Sequence, residues 1–514
     1  MPETFSNPKE VPPEARSKLS RRELLGIIGG LVVGGAIGAA ATYVAAPKEV
    51  VKEVAKTVTV PGPTVTVPGP TVTVPGPTVT VTPGARPVPT TPLKIGCQTF
   101  MKGGNAPLGV PLYEGLVAAA EEINKAGGIL GRKVEVIVRD EAGTDETVKE
   151  YKRLVLEDKI DLYIGLISSA NTPAVAPHAE ELKCLSLFID GCTDVVFDVV
   201  DRNPVYVFRN HFQSPDGLIN NFQLMRLYKR KTGKLPTRFA YIHPDYGYGR
   251  LVHAHARYAT DKVMPENVNA YEAFVKFPGT TDFSAYITKM LEVKPDVVLS
   301  SEWGGDFKAF YKQALGYGYF KAIPMFISTL SHGTYPEFLE TDYPEGIGAG
   351  VHANYWFEYP LLDQNPVNKY FVDSYFAKWK RYPNFEAEGA WTMLWAFKGA
   401  VEEIYAKIKG GWPETEEIVP ILERWAMVCP AGVWQIRKDN HNGYKDAISG
   451  VSINDPKLGF NKLTDPYYIR VDKISAPPRW QLEVFDPKGP HPTATADWIF
   501  RTWKKGELPD GVTL

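Results

Sequence analysis

The chain has 514 residues, of which 44% are apolar and 23% charged, a composition that supports a sizeable core and about two to three domains. Its formal net charge of −2 is spread without any Lys/Arg-rich block, which excludes a surface built to hold nucleic acid phosphates. Four cysteines, Cys97, Cys184, Cys192 and Cys429, show no CxxC spacing, which argues against a zinc site or a thioredoxin-like redox pair.

Residues 1 to 23 are polar, and residues 24 to 46 (LLGIIGGLVVGGAIGAAATYVAA) carry no charge. As a helix this stretch would be roughly 34 Å long, enough to cross a hydrocarbon core of about 30 Å. Ser20, Arg21, Arg22 and Leu25 resemble a twin-arginine export signal, with Leu24 and Gly26 departing from the pattern. Five Lys/Arg residues precede the segment, so the amino terminus is expected to stay inside and the rest to emerge outside. VAA at 44 to 46 offers a cleavage point, so a retained anchor and a removed signal are both open. Gly26, Gly30, Gly34 and Gly38 share one helix face and suit either helix pairing or simply lowered hydrophobicity.

Within the linker of residues 47 to 92, the stretch 57 to 84 repeats VPGPTVT. Pro with alternating Thr and Val cannot build a core, and proline holds the backbone extended, so this linker can reach up to roughly 140 Å. A spacer of that kind has a use when its amino end remains attached, which favours a membrane anchor holding an extracellular body.

From Leu93 the pattern changes. LKIGCQTF reads as a strand, and the following PLYEGLVAAAEEINKAGG places Leu112, Leu116, Ala119, Ala120 and Ile123 on one helical face, stopped by Gly127 and Gly128. KVEVIVRDE, DLYIGLI and CLSLFID are strands alternating with helices at 145 to 158 and TPAVAPHAEEL. If CLSLFID is extended, Cys184 and Cys192 are too far apart for a disulfide. A second series follows VYVFRNHFQSPDG: strands RFAYIHP, NAYEAFV, DVVLSS and IPMFIS alternate with helices from Tyr248 to Lys262, at DFSAYITKMLEV with Asp282 as its cap, and at DFKAFYKQALGYG. Repeated βα units predict parallel sheets covered on both faces, and two such series predict two α/β lobes. Residues 366 to 409 read as strongly helical, and the last hundred residues as irregular.

No GxSxG, HExxH, Walker A or GxGxxG motif with an acidic partner appears in this body, so an enzyme is not expected, nor a cofactor or metal. His253 and His255 are two apart on a helix and cannot chelate one metal there. DNHNG at 439 to 443 lacks the later bidentate Glu of a calcium loop and reads as a turn.

The stretches EGLVAAAEEINKAGGILGRKVEVIVRDE (114 to 141), IGLISSANT (164 to 172), HPDYGYGR (243 to 250), TTDFSAYITKMLEVKPDVV (280 to 298) and FKAFYKQALGYGY (307 to 319) together resemble the leucine/isoleucine/valine-binding protein family, the type I periplasmic solute-binding components of ABC importers. The resemblance implies two doubly wound lobes joined by a three-strand hinge and closing on a small solute. Lobe one would be 93–212 with 355–432, and lobe two 213–354 with 433–514. It implies an α-carboxylate grip at Ser168, Ser169, Ala170 and Asn171, where neutral donors at a helix start suit an anion; helix capping is the plainer role for Ser168 and Ser169. Further ligand contacts fall at Asp190, Gly191, Cys192 and Thr193. Tyr246 would cover the ligand, and Trp303 would supply an aromatic from the opposite lobe.

The chain departs from the family at Thr329, Leu330 and Ser331, where the usual ammonium-pairing glutamate is missing. Either Glu302 or Asp190 replaces it, or the solute lacks an amine and is an amide, a urea-like compound or an organic acid. The implied partners are an ABC permease and ATPase; a ligand sensor of the same fold is the alternative, and an extracellular hydrolase a third.

Overall fold

The computed structural model describes residues 86–211, 222–351, 355–360, 364–408, 410–471, 475, 494–501 and 503–507. The proposed signal or anchor and most of the repeat linker lie outside these residues. Among the described residues no helix is long and apolar enough to cross a membrane.

The first series forms β1 (Leu93–Thr99), α1 (Ala106–Lys125), β2 (Val134–Asp140), α2 (Thr144–Leu156), β3 (Leu162–Gly165), α3 (Asn171–Leu182), β4 (Ser186–Phe188) and β5 (Val207–Arg209). These strands make one parallel sheet in the order β2-β1-β3-β4-β5. The five apolar residues assigned to one face of α1 are all buried. This helix starts one turn earlier than its periodicity suggests and carries Pro111 inside it.

After α4 (Met225–Thr232), the second series builds β6 (Arg238–Pro244), α5 (Gly247–Val263), β7 (Val268–Val275), α6 (Ser284–Val293), β8 (Val297–Ser300), α7 (Gly304–Gly316), α8 (Tyr319–Ala322), β9 (Met325–Ser328) and β10 (Gly348–Gly350). The Asp282 carboxylate accepts from the Ser284 N–H at 2.9 Å, but the cap position of α6 is Phe283, one residue later than the sequence suggests. The parallel part of this sheet runs β7-β6-β8-β9-β10, the same order as the first.

The helical stretch at 366 to 409 divides into α9 (Pro366–Trp379) and α10 (Phe385–Ile408). Pro383 lies in the break, where it cannot continue a helix. Helix α10 packs on α1, so close that a Cβ at Gly115 would stand 2.1 Å from the Ala387 carbonyl oxygen. Beyond α11 (Thr415–Leu422), β11 (Ala426–Cys429), β12 (Gly432–Ile436) and β13 (Gly443–Tyr444) form a small antiparallel sheet.

The tail is not irregular throughout, contrary to the sequence expectation. β14 (Ala447–Asp455) and β15 (Phe460–Ile469) pair with each other and extend the second sheet antiparallel to β10. A register shift between Ser449 and Val451 breaks the two-residue alternation, and Pro466 is tolerated because β15 is an edge strand. The chain therefore passes between the sheets after β5, after β10 and after β13.

All four cysteines are free and buried. His255 is buried beside Asp194, and the His253 ring meets Tyr241 and Phe274 edge-on, so the two side chains point into different surroundings. His441, in the 439–443 turn, stacks on Phe208 with ring centroids 3.9 Å apart.

The third passage is pinned by a buried ion pair: Lys445 Nζ lies 2.8 Å from the Glu388 carboxylate of α10, with both side chains at most 1% exposed. Breaking one partner leaves an uncompensated buried charge. Lys445→Met is expected to destabilise the protein by about 3–5 kcal/mol, read from the denaturant unfolding midpoint, and Lys445→Met with Glu388→Leu to recover most of that loss.

Candidate functional site

In an open parallel sheet the strand order reverses at one point, and the loops leaving neighbouring strands diverge there to open a crevice. Both sheets carry this point between their first and third strands. The loops after β1, β2 and β3 face those after β6, β7 and β8 across a cleft of about 580 Å³. Its lining includes Phe100, Asn105, Glu141, Ser168, Ala170 and Asn171 from the first lobe, and Tyr246, Phe277, Trp303 and Asp306 from the second.

The lobes touch at the mouth of the cleft through backbone. The Gly305 N–H donates to the Gly104 carbonyl at 2.9 Å. A Cβ at Gly305 would lie 3.0 Å from Gly104 Cα, and Gly304 has φ 61°, so the paired glycines in KGGN (102–105) and WGGD (303–306) permit an approach that side chains would block. Nearby, the Tyr335 N–H donates to the Pro107 carbonyl, and Asn384 Nδ2 to the Gly333 carbonyl.

Aromatic rings form one wall. Trp303 Nε1 donates to the Tyr246 hydroxyl at 3.1 Å, Phe277 stacks on Tyr246 at 5.2 Å, and Trp303 lies 4.8 Å from Phe277. Phe100 closes the row from the first lobe, 6.2 Å from Trp303. Tyr246 and Trp303 are thus neighbours on the second lobe and do not face each other across a solute.

The Ser168 loop is already occupied by a carboxylate. Glu141 accepts from the Ile167 N–H at 2.9 Å, the Ser168 N–H at 2.8 Å and Asn171 Nδ2 at 2.9 Å. Asn171 also bonds the Ala142 carbonyl, and Thr144 donates to its Oδ1. Ser168 Oγ accepts from the Ala170 N–H within its own loop. On the other lobe, Asp306 accepts from the N–H groups of Gly279 and Thr280. Burial raises both acids, Glu141 to about 7 against the opposing pull of its hydrogen bonds.

The remaining sequence candidates do not line this cleft. Ser169 is buried with its hydroxyl 4.0 Å from Cys192 Sγ. Asp190 bonds His211 at 2.7 Å, and burial, with Asp190 alongside, pushes the Glu386 carboxyl of α10 well above the usual carboxylate range. Gly191 has φ 67° and would drive a Cβ into Thr172; Arg209 donates to the Gly191 and Thr193 carbonyls. Glu302 is fully buried, neither carboxylate oxygen has a hydrogen-bond partner, and burial raises it well above the carboxylate range. Glu141, Asp306, Asn105, Phe100 and Phe277 escaped the sequence reading, although each ends a predicted strand or closely follows one, where the carboxyl-end rule directs attention.

Because folding favours protonated Glu141, its stabilising contribution is complete below pH 4.5 and is lost as pH rises through 7. The shift corresponds to about 3 kcal/mol. The unfolding midpoint is expected to fall across that range, and Glu141→Gln to flatten the fall; carboxyl NMR titration near pH 7 checks the assignment directly.

Residues 92–450 match the sequence profile of a family described as periplasmic binding protein. The chain is 28% identical over 240 residues to Leu/Ile/Val-binding protein homolog 7 of Brucella suis biovar 1 (strain 1330), covering 46% of this chain and 58% of that protein. It is 27% identical over 230 residues to homolog 8 of Brucella abortus (strain 2308), covering 44% and 56%. The chain thus spans less than two thirds of these curated relatives. Among solved structures, a solute-binding protein of an ABC transporter from Rhodopseudomonas palustris BisB5, in complex with 3,4-dihydroxybenzoic acid, superposes with a TM-score of 0.62 at 20% identity, covering 74% of this chain and 98% of that one. A leucine-binding protein from Thermotoga maritima MSB8 gives 0.57 at 21% identity, covering 73% and 98%. At these identities the structures share a fold.

Proposed function

This chain belongs to the periplasmic binding protein family, and we propose that it captures a small polar solute between its lobes and delivers it to an ABC importer. The observation that carries this reading is the cleft itself: loops from the carboxyl ends of both sheets line it, and the Gly104–Gly305 hydrogen bond joins the lobes over it. A site divided between two lobes couples ligand contacts to closure, because a solute touching both favours the closed state over the open one. The solute leaves chemically unchanged, and the permease and ATPase supply transport.

In this reading residues 1–46 anchor the protein at the outer membrane face, and the repeats up to residue 92 set the body at a distance from it. Lobe one comprises 93–212 with 355–432, and lobe two 213–354 with 433–514. Ser168, Ala170, Asn171, Tyr246 and Trp303 contact the solute. Amino acids, amides and small carboxylates are the starting classes, because the named relatives and neighbours bind Leu/Ile/Val or aromatic acids.

A ligand that binds only the native state raises stability by RT ln(1 + [L]/Kd). Thermal unfolding of the full-length protein against amino acids, amides, urea and carboxylates is expected to show a concentration-dependent rise with a restricted subset; no rise with any solute overturns the reading. Gly305→Val is expected to weaken binding of any such solute at least tenfold, about 1.4 kcal/mol, and to enlarge the radius of gyration of the ligand-loaded protein in X-ray scattering.

A further inference from the structure

We infer that the cleft is built for an organic cation, an ammonium or amidinium group on a flat or apolar body, and that it selects against carboxylates. The inference deepens the solute-capture reading and rests on it.

The first observation is where the cleft's own acids sit. An anionic solute needs free N–H donors, and the donors at the start of α3, the N–H groups of Ile167 and Ser168 with Asn171 Nδ2, are all engaged by Glu141. The donors at Gly279 and Thr280 are engaged by Asp306. Both anion cradles on the two lobes are therefore filled from within by carboxylates that line the cleft. A second carboxylate brought alongside would find these donors taken, and would meet like charge wherever the resident acids are ionised. Among the described residues that line the cleft, Lys102 is the one cationic side chain, and it is exposed at the rim.

The second observation is independent of these acids. Asn105, 7% exposed, lines the cleft with its Oδ1 buried and without a hydrogen-bond partner. An unmatched acceptor of this kind is expensive to leave buried, and a donor-only cationic group supplies what it lacks. The third observation is the wall of Phe100, Tyr246, Phe277 and Trp303. Aromatic faces attract cations, most strongly where water is excluded, and they stack flat bodies of either charge, so the carboxylates set the sign.

The test compares probes that share one ring. Calorimetry and thermal unfolding of the full-length protein with phenethylammonium, benzyltrimethylammonium, benzamide, benzoate and leucine are expected to give the cations at least tenfold lower Kd than benzoate. Asp306→Asn is expected to weaken phenethylammonium at least tenfold with benzamide unaffected, and Asn105→Asp, which adds charge to the wall, to tighten it severalfold. Binding of benzoate, benzamide or leucine with no response to either cation overturns the inference and leaves solute capture standing, as does cation binding indifferent to both substitutions. Silence of these probes and of the wider solute panel overturns both.

Discussion

The meeting of two backbones at Gly104 and Gly305 is the constraint on which the cleft depends. The walls belong to different lobes, held in their own sheets more than a hundred residues apart in sequence, and only a short contact lets them face each other across a space of small-molecule size. Glycine at 305 makes that contact possible, since a Cβ there would press on Gly104 Cα at 3.0 Å. The junction needs no side-chain chemistry of its own. Recognition is left to the residues flanking it: Asn105 follows one glycine pair, and Trp303 and Asp306 bracket the other.

The repeated strand order gives this arrangement its symmetry. Each sheet reverses its order next to its first strand, and each contributes the loops that leave the first three strands of its series. The antiparallel pair β14 and β15 extends the far edge of the second sheet, away from the cleft loops, and it returns the chain to lobe two only after Lys445 has been fixed to Glu388 of α10. The third passage between lobes is thereby tied at its start to the helix packed on α1. Closure must leave that buried pair intact, because separating it would strand a charge in the core.

Much of this architecture was legible in the sequence. Alternating strand and helix periods predicted both parallel sheets, and the apolar face of α1 was readable from spacing alone, because those patterns are local. The tail strands were hidden because a bulge and Pro466 erase the alternation that identifies a strand. The site was legible only in part for a different reason. Tyr246 and Trp303 sit in recognisable loops, whereas the role of Glu141 depends on which N–H groups a fold brings within 3 Å of it, and no sequence period encodes that. The Ser168 loop shows the difference well: its residues suit a carboxylate, and a carboxyl group is there, but the chain supplies it.

That substitution alters how the absent family glutamate at 329 to 331 is to be understood. In a site where the protein leaves its helix-start donors open, a zwitterion needs one carboxylate opposite to complete the match. Here the donors are closed by Glu141, and a second cradle is closed by Asp306. Carboxyl groups have not been lost from the cleft; they stand at Glu141 and Asp306, one on each lobe. A solute that brings positive charge and little else fits that redistribution, and the aromatic wall gives it a surface to lie on while the lobes close.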